Sequence, residues 1–323
     1  MSARLSRLWR VSPALAGTAA AHLVLLALFL ALGLVDGRQV TGQPVWLKPA
    51  KFAASISLYT LTLAWLLAHV EGHARAVRAV AGVTVTGLWL EILIIGGQAA
   101  RGEASHFNST SPLNAALFSV MGVSVLTVWA TGFVALWLLC RQRFADRAFA
   151  LALRTGLLVS LLGAGLGGMM TQPTAAQRGQ LAAGELPARM GAHAVGTPDE
   201  GPGLPGVGWS TRGGDLRVPH FLGLHAMQLL PLLSLALLRR ARGAQERERL
   251  ALTGASSFGY LGLVGVLTLQ ALRGEPLLAP GAQTLAALAG LAGVTLVAGA
   301  GGLLWARRSR ASAVPHGAHS VHP

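Results

Sequence analysis

The chain is poor in the residues that usually announce a soluble enzyme. Only 12% of its 323 residues are charged, against 53% hydrophobic. Soluble domains carry about 25% charged residues, so a soluble fold is excluded. There is one cysteine, Cys140. It cannot close an internal disulfide, and at the end of an apolar run it reads as a small filler. The chain has no Cys-x-x-Cys-His attachment site and no G-x-S-x-G elbow, which removes covalent haem attachment and the usual serine hydrolase arrangement. Ser105 and His106 are adjacent, but neighbours in a loop do not make a triad. His69 and His73 flank Glu71 at the wrong position for the zinc-protease helix motif. Their spacing of four puts them on one helix face, which could bind a metal, though an ordinary solvated helix end is the commoner reading. No internal repeat stands out, which weakens a pseudo-symmetric transporter.

What remains is apolar sequence in long runs. Eight stretches, at 12–35, 50–70, 79–98, 113–140, 148–170, 218–239, 250–272 and 279–305, are each long enough to cross a bilayer, which takes about 20 residues. In lipid such runs must be helices, because the backbone has no water to bond. The expected fold is all-α: a polytopic integral membrane helical bundle forming one domain over 1–308. The first run follows Arg4, Arg7 and Arg10 but is too long for a signal h-region, so it is read as a retained anchor.

The net charge of +14 reflects topology rather than nucleic-acid binding, because the arginines sit at helix ends. Segments on the N-terminal side of the membrane hold 16 Arg; the alternate segments hold 9 Lys and Arg, four of them in the long connection 171–217. The positive-inside bias therefore places both termini in the cytoplasm and 171–217 outside. The excess of Arg over Lys, with abundant Ala and Gly, suits a GC-rich bacterial genome and its cytoplasmic (inner) membrane, so the Asn108-Ser109-Thr110 sequon carries little meaning. Membrane lipid is the expected surrounding partner; no protein partner is named by the sequence. The tail 309–323, with His316, His319 and His322, reads as disordered.

Loop 171–217 is rich in Gly and Pro and reads as largely irregular, with a short interfacial helix between Thr174 and Met190. Loops this long are functional or disordered. Close helix contacts are suggested by Gly163/Gly167, Ala286/Gly290 and Ala289/Gly293.

Ionisable groups inside a membrane are functional hypotheses by default. His22, Glu91, His225 and Gln228 fall at similar depths in three helices, with Tyr59 and Tyr260 near mid-span in two more. Together they describe a buried polar site in the outer half. His22, Glu91 and His225 are candidate metal ligands; with Gln228 they are candidate haem b or cofactor contacts. Arg154 either snorkels to the cytoplasmic surface or pairs with Glu91. A second cluster lines the outer face: Lys48, Lys51, Gln98, Arg101, His106, Asn108, Asp215, Arg217 and His220. Both lysines fall here, three residues apart, either as interfacial anchors or as an anion site with Asp215 as their nearest carboxylate. Three functions fit: a haem- or metal-ligating redox protein, slightly favoured; a proton-coupled transporter of a small, anionic solute; and a non-catalytic component binding a partner or lipid.

Overall fold

In the computed structural model, which describes Trp9, residues 12–240 and 245–311, eight helices are long and apolar enough to span a bilayer. They are α1 (Pro13–Val35), α2 (Leu47–Leu67), α3 (Ala74–Arg101), α4 (Pro112–Arg141), α5 (Arg147–Met170), α7 (Arg217–Arg240), α8 (Glu246–Leu272) and α9 (Ala282–Ala311). A ninth, short helix, α6 (Ala175–Ala182), lies between α5 and α7. The chain is a multi-pass membrane protein with an all-helical bundle. The tail histidines His316, His319 and His322 lie outside the described residues.

The helix starts follow ordinary capping. Ser12 and Ser111 accept from backbone N–H groups of α1 and α4, with proline in the first turn of each, a position where the missing N–H costs nothing. Asp146 caps α5. Thr174 and Gln177 form a reciprocal capping box on α6, so that helix begins where expected. It stops at Ala182, and Gly184 turns the chain at φ +78°.

The tightest helix pair is α5 against α7. A Cβ added to Gly163 would lie 2.5 Å from the Cα of Gly223, and one added to Gly223 would lie 2.4 Å from the Cα of Gly163. Ser160 Oγ donates to the carbonyl of Leu224 across the same seam. Lipid offers no hydrophobic drive for helix association, so close packing of small residues supplies it. The Ala286/Gly290 and Ala289/Gly293 steps of α9 do not act this way: a Cβ at Gly290 or Gly293 would meet nothing within 4 Å. Instead α9 lends Thr295 and Leu291 to grooves at Gly259 and Gly262 of α8.

The two ends of the bundle differ. At the end with short connections, Leu63, Leu66, Leu67, Val77, Leu138, Leu139, Leu153 and Leu157 form a closed apolar core. Arg154 belongs to this end: its guanidinium donates to the carbonyls of Leu139 and Gln142 and lies 5.6 Å from the Phe144 ring centre. It satisfies the orphan carbonyls at the end of α4 and makes no pair with Glu91. Cys140 is exposed there rather than packed. His69 and His73 do not share a helical face, because α2 ends at Leu67.

The other end carries the long connections. A two-residue hairpin, β1 (Gln39–Val40) with β2 (Gln43–Pro44), follows α1. The connection after α6 is ordered rather than loose. Strand β3 (Ala194–Val195) pairs with β4 (Gly214–Asp215), Arg189 forms a bridge with Asn108, and Gly203 with Ser210. Met190 N–H donates to Phe107, and Ala192 N–H to Met170. Residues 185–216 thus form a lid stitched by backbone bonds to the connection 102–111 and to the end of α5.

Candidate functional site

Under the lid, the connection 102–111 is held from below by a polar network. Gln98 donates to Asn114 Oδ1 at 3.0 Å; Arg101 donates to Gln98 and Asn114; Asn114 donates to Thr110 and Glu103; Asn108 donates to Glu103. Gln98, Asn108 and Asn114 are buried. Nearly every donor among them has an acceptor, as a buried polar network requires. Gln98, Arg101 and Asn108 are therefore the scaffold of this loop rather than a ligand surface. Asn114 is a member the sequence reading missed; its signal is a lone Asn in the first turn of an apolar helix.

The scaffold aims His106 inward. Phe107 adopts φ +60°, a left-handed conformation that costs about 1–2 kcal/mol for a side chain with a Cβ. Its ring is buried between Phe118 and His193, at centroid distances of 5.6 and 4.8 Å. This turn sends His106 to the other side, where Nε2 lies 3.5 Å from Glu91 Oε1 and Nδ1 lies 3.2 Å from Ser105 Oγ. The Phe52 and Phe118 rings lie 5.6 and 6.0 Å away. Burial holds the His106 imidazole well below its ordinary pKa, and the charges of Lys48 and His193 push it further down. It is a neutral base at neutral pH.

Glu91 is 3% exposed. Its second oxygen, Oε2, has no hydrogen-bond partner. Lys48, in the first turn of α2, lies 6.0 Å from the Phe52 ring centre. Glu91 and His106 thus form a buried polar pair at the lid end, and the Phe52 ring neighbours both His106 and Lys48.

The lid adds residues that sequence reasoning did not single out. His193 Nδ1 lies 2.9 Å from Asp199 Oδ2, and Asp199 also accepts from the N–H groups of His193 and Ala194. Arg189 pairs with Asp199 and Glu200. Burial lowers the His193 pKa, partly offset by the Asp199 hydrogen bond. Burial alone would raise Asp199, but those donors hold it well below the usual carboxylate range. No periodic pattern marks these residues, because a lid without long helices leaves none.

The lysines do not reach Asp215. That buried carboxylate is taken by Arg217 at 2.6 Å and by the Ser210 N–H, since a residue two positions away closes faster than one on another helix. Lys51 instead donates to the Val207 carbonyl of the lid at 3.2 Å, and Arg217 to that of Gly208. Both basic side chains pin the lid. His220 Nδ1 bonds the Gly163 carbonyl at 2.8 Å, so it belongs to the α5–α7 seam.

The deeper candidates do not join this group. His22 is fully buried on α1, its Nδ1 on the Thr18 carbonyl and its ring edge-on to Trp89 at 4.8 Å. Trp89 and Glu91 are two residues apart on α3 and so point to opposite sides of that helix. His225 packs on Phe221 at 4.3 Å, and Gln228 donates to Thr62 of α2. Helix α1 packs chiefly on α2 and α3, whereas α7 packs chiefly on α5 and α8. The helices that carry these residues face different neighbours. Among the described residues no three His, Cys, Asp or Glu side chains gather as a metal-holding set. Among the described residues, His22, Glu91 and His225 therefore do not gather as a metal-holding set.

The chain matches no known protein family, no curated protein and no solved structure. The reading of the site rests on its geometry.

Proposed function

We propose that this is a proton-coupled transporter of a small polar solute in a bacterial cytoplasmic membrane, with the lid end facing outward and Glu91 and His106 as its coupling group. The observation that carries this reading is Glu91: a carboxyl 3% exposed within a membrane helix, with one oxygen toward His106 and the other without a partner. Burying such a group is expensive, and membrane proteins retain it where protons or ions move. A neutral imidazole beside a buried carboxyl can pass one proton between them. The closed apolar core at the opposite end and the stitched lid suit an occluded state of an alternating-access cycle. The charge bias of the connecting segments supports the orientation.

Proteoliposomes loaded with a pH-reporting dye test this reading. They are given an inward proton gradient and then amino acids, short carboxylic acids or phosphate. Internal acidification that depends on one of these solutes, and that Glu91→Gln abolishes, is the expected result. Acidification by none of them, or acidification that persists in Glu91→Gln, contradicts it.

A further inference from the structure

Among the described residues, two polar side-chain atoms lie within hydrogen-bond or ion-pair reach of the His106 ring. Ser105 Oγ is 3.2 Å from Nδ1, and Glu91 Oε1 is 3.5 Å from Nε2. Around them the imidazole meets the rings of Phe52, Phe107 and Phe118. Ser105 and Glu91 are each 3% exposed, so bulk water does not stand in for either. The serine is held in place from both sides. The Ala104 carbonyl before it accepts from Gln98 and Asn108, and the φ +60° turn at Phe107 sets the direction of His106 after it.

A neutral imidazole carries one proton, on one nitrogen or the other. An ionised Glu91 only accepts, so Nε2 carries the proton and Ser105 donates to the bare Nδ1. A protonated Glu91 donates to Nε2, so Nδ1 carries the proton and Ser105 accepts. A hydroxyl turns between these two roles, whereas a backbone N–H or a carbonyl fills only one. Resting on the transport reading above, we propose that Ser105 passes protons between water on the outer side and His106 Nδ1, and so sets the tautomer through which Glu91 is charged and discharged. The step balances. A hydronium ion gives a proton to Ser105 Oγ and leaves as water. The former Ser105 hydroxyl proton moves to His106 Nδ1, and the Nε2 proton moves to Glu91 Oε1. Three bonds to hydrogen break and three form. One proton has gone from water to the carboxyl, and the ring has changed tautomer without holding a charge among the aromatic rings. The reverse sequence releases the proton and restores the first tautomer.

The test uses the full-length protein in lipid nanodiscs. Nitrogen NMR of protein isotopically labelled at histidine, with the His106 signals identified by their loss in His106→Asn, reads the tautomer between about pH 9 and about pH 5. Nε2–H at the alkaline end and Nδ1–H at the acid end are expected. One tautomer throughout, or a doubly protonated ring, overturns the proposal without any serine variant. Time-resolved infrared spectroscopy after a light-triggered acid jump then reads how fast the Glu91 C=O band rises. Ser105→Ala is expected to slow that rise about tenfold or more and leave the final band height unchanged. Ser105→Thr, which keeps the hydroxyl, is expected to restore the rate. A serine that only supports the loop would change band height or particle stability instead. A wild-type rate in Ser105→Ala overturns the relay and leaves proton coupling by Glu91 and His106 standing. Absence of a Glu91 band in the wild type removes the coupling group itself, and the relay with it.

Discussion

Gly163 and Gly223 bring the backbones of α5 and α7 into contact, and either residue's missing Cβ is what permits it. Gly163→Val forces methyls into the Gly223 backbone. Overpacking of this kind costs about 1–3 kcal/mol. It also disturbs the Gly163 carbonyl that holds His220. Thermal unfolding in detergent should show a clear loss of stability for Gly163→Val and for Gly223→Val. Gly293→Val, where a Cβ meets nothing, should be silent. Equal behaviour of all three variants contradicts the seam.

Asn114 is the junction of the network under loop 102–111. Asn114→Ala strands Gln98, Arg101 and Glu103 groups at once, and each buried group left without a partner costs about 1–3 kcal/mol. Asn114→Asp keeps the acceptor but loses the donors to Thr110 and Glu103. Both variants should lower thermal stability, with Asn114→Ala the worse. Stability unchanged in Asn114→Ala would mean the network is ornamental.

Lid protection should fall in acid. His106 and His193 both have folded pKa values below the free imidazole. The unfolded lid therefore binds protons that the folded lid refuses, and stability drops as pH falls through about 6.5. The Asp199 carboxyl works in the same direction only at far lower pH, because its folded value is depressed. Lys48 and Arg217 oppose a second positive charge at His193, while Asp199 favours it. Hydrogen exchange over 188–195, corrected for intrinsic rate, should show protection lost between about pH 7 and about pH 5. A double variant, His106→Asn with His193→Asn, should flatten that dependence. An unchanged pH profile in the double variant rules out these imidazoles as its source.

Orientation is open to direct measurement. Alkaline phosphatase fused within 185–216 should be active, and fused after Arg308 inactive. The reverse pattern would turn the proton path inward.

The bundle was legible because lipid allows only one answer to a long apolar run. All eight spans were read within a few residues, the largest offset being six at the end of α9. The Gly163/Gly167 step pointed to the correct helix, and its partner Gly223 needed coordinates. The site was only partly legible. Depth along a helix can be counted from sequence, and that count grouped His22, Glu91 and His225. Azimuth relative to unknown neighbours cannot, and it separates His22 on the Trp89 side from Glu91 on the His106 side. The expected pairing of Lys48 or Lys51 with Asp215 failed for a local reason: Arg217 claims Asp215 from two residues away. The lid residues His193, Asp199 and Arg189 gave no pattern because their positions depend on backbone bridges to Asn108 and Phe107 far off in sequence.

The central claim is that Glu91 exchanges a proton with its surroundings through His106. Infrared difference spectroscopy of the nanodisc-held protein, stepped between about pH 5 and about pH 9, reads a protonated carboxyl directly. A buried-carboxyl C=O band should appear across the step in the wild type, vanish in Glu91→Gln and move in His106→Asn. A spectrum in which wild type and Glu91→Gln cannot be told apart would contradict the account.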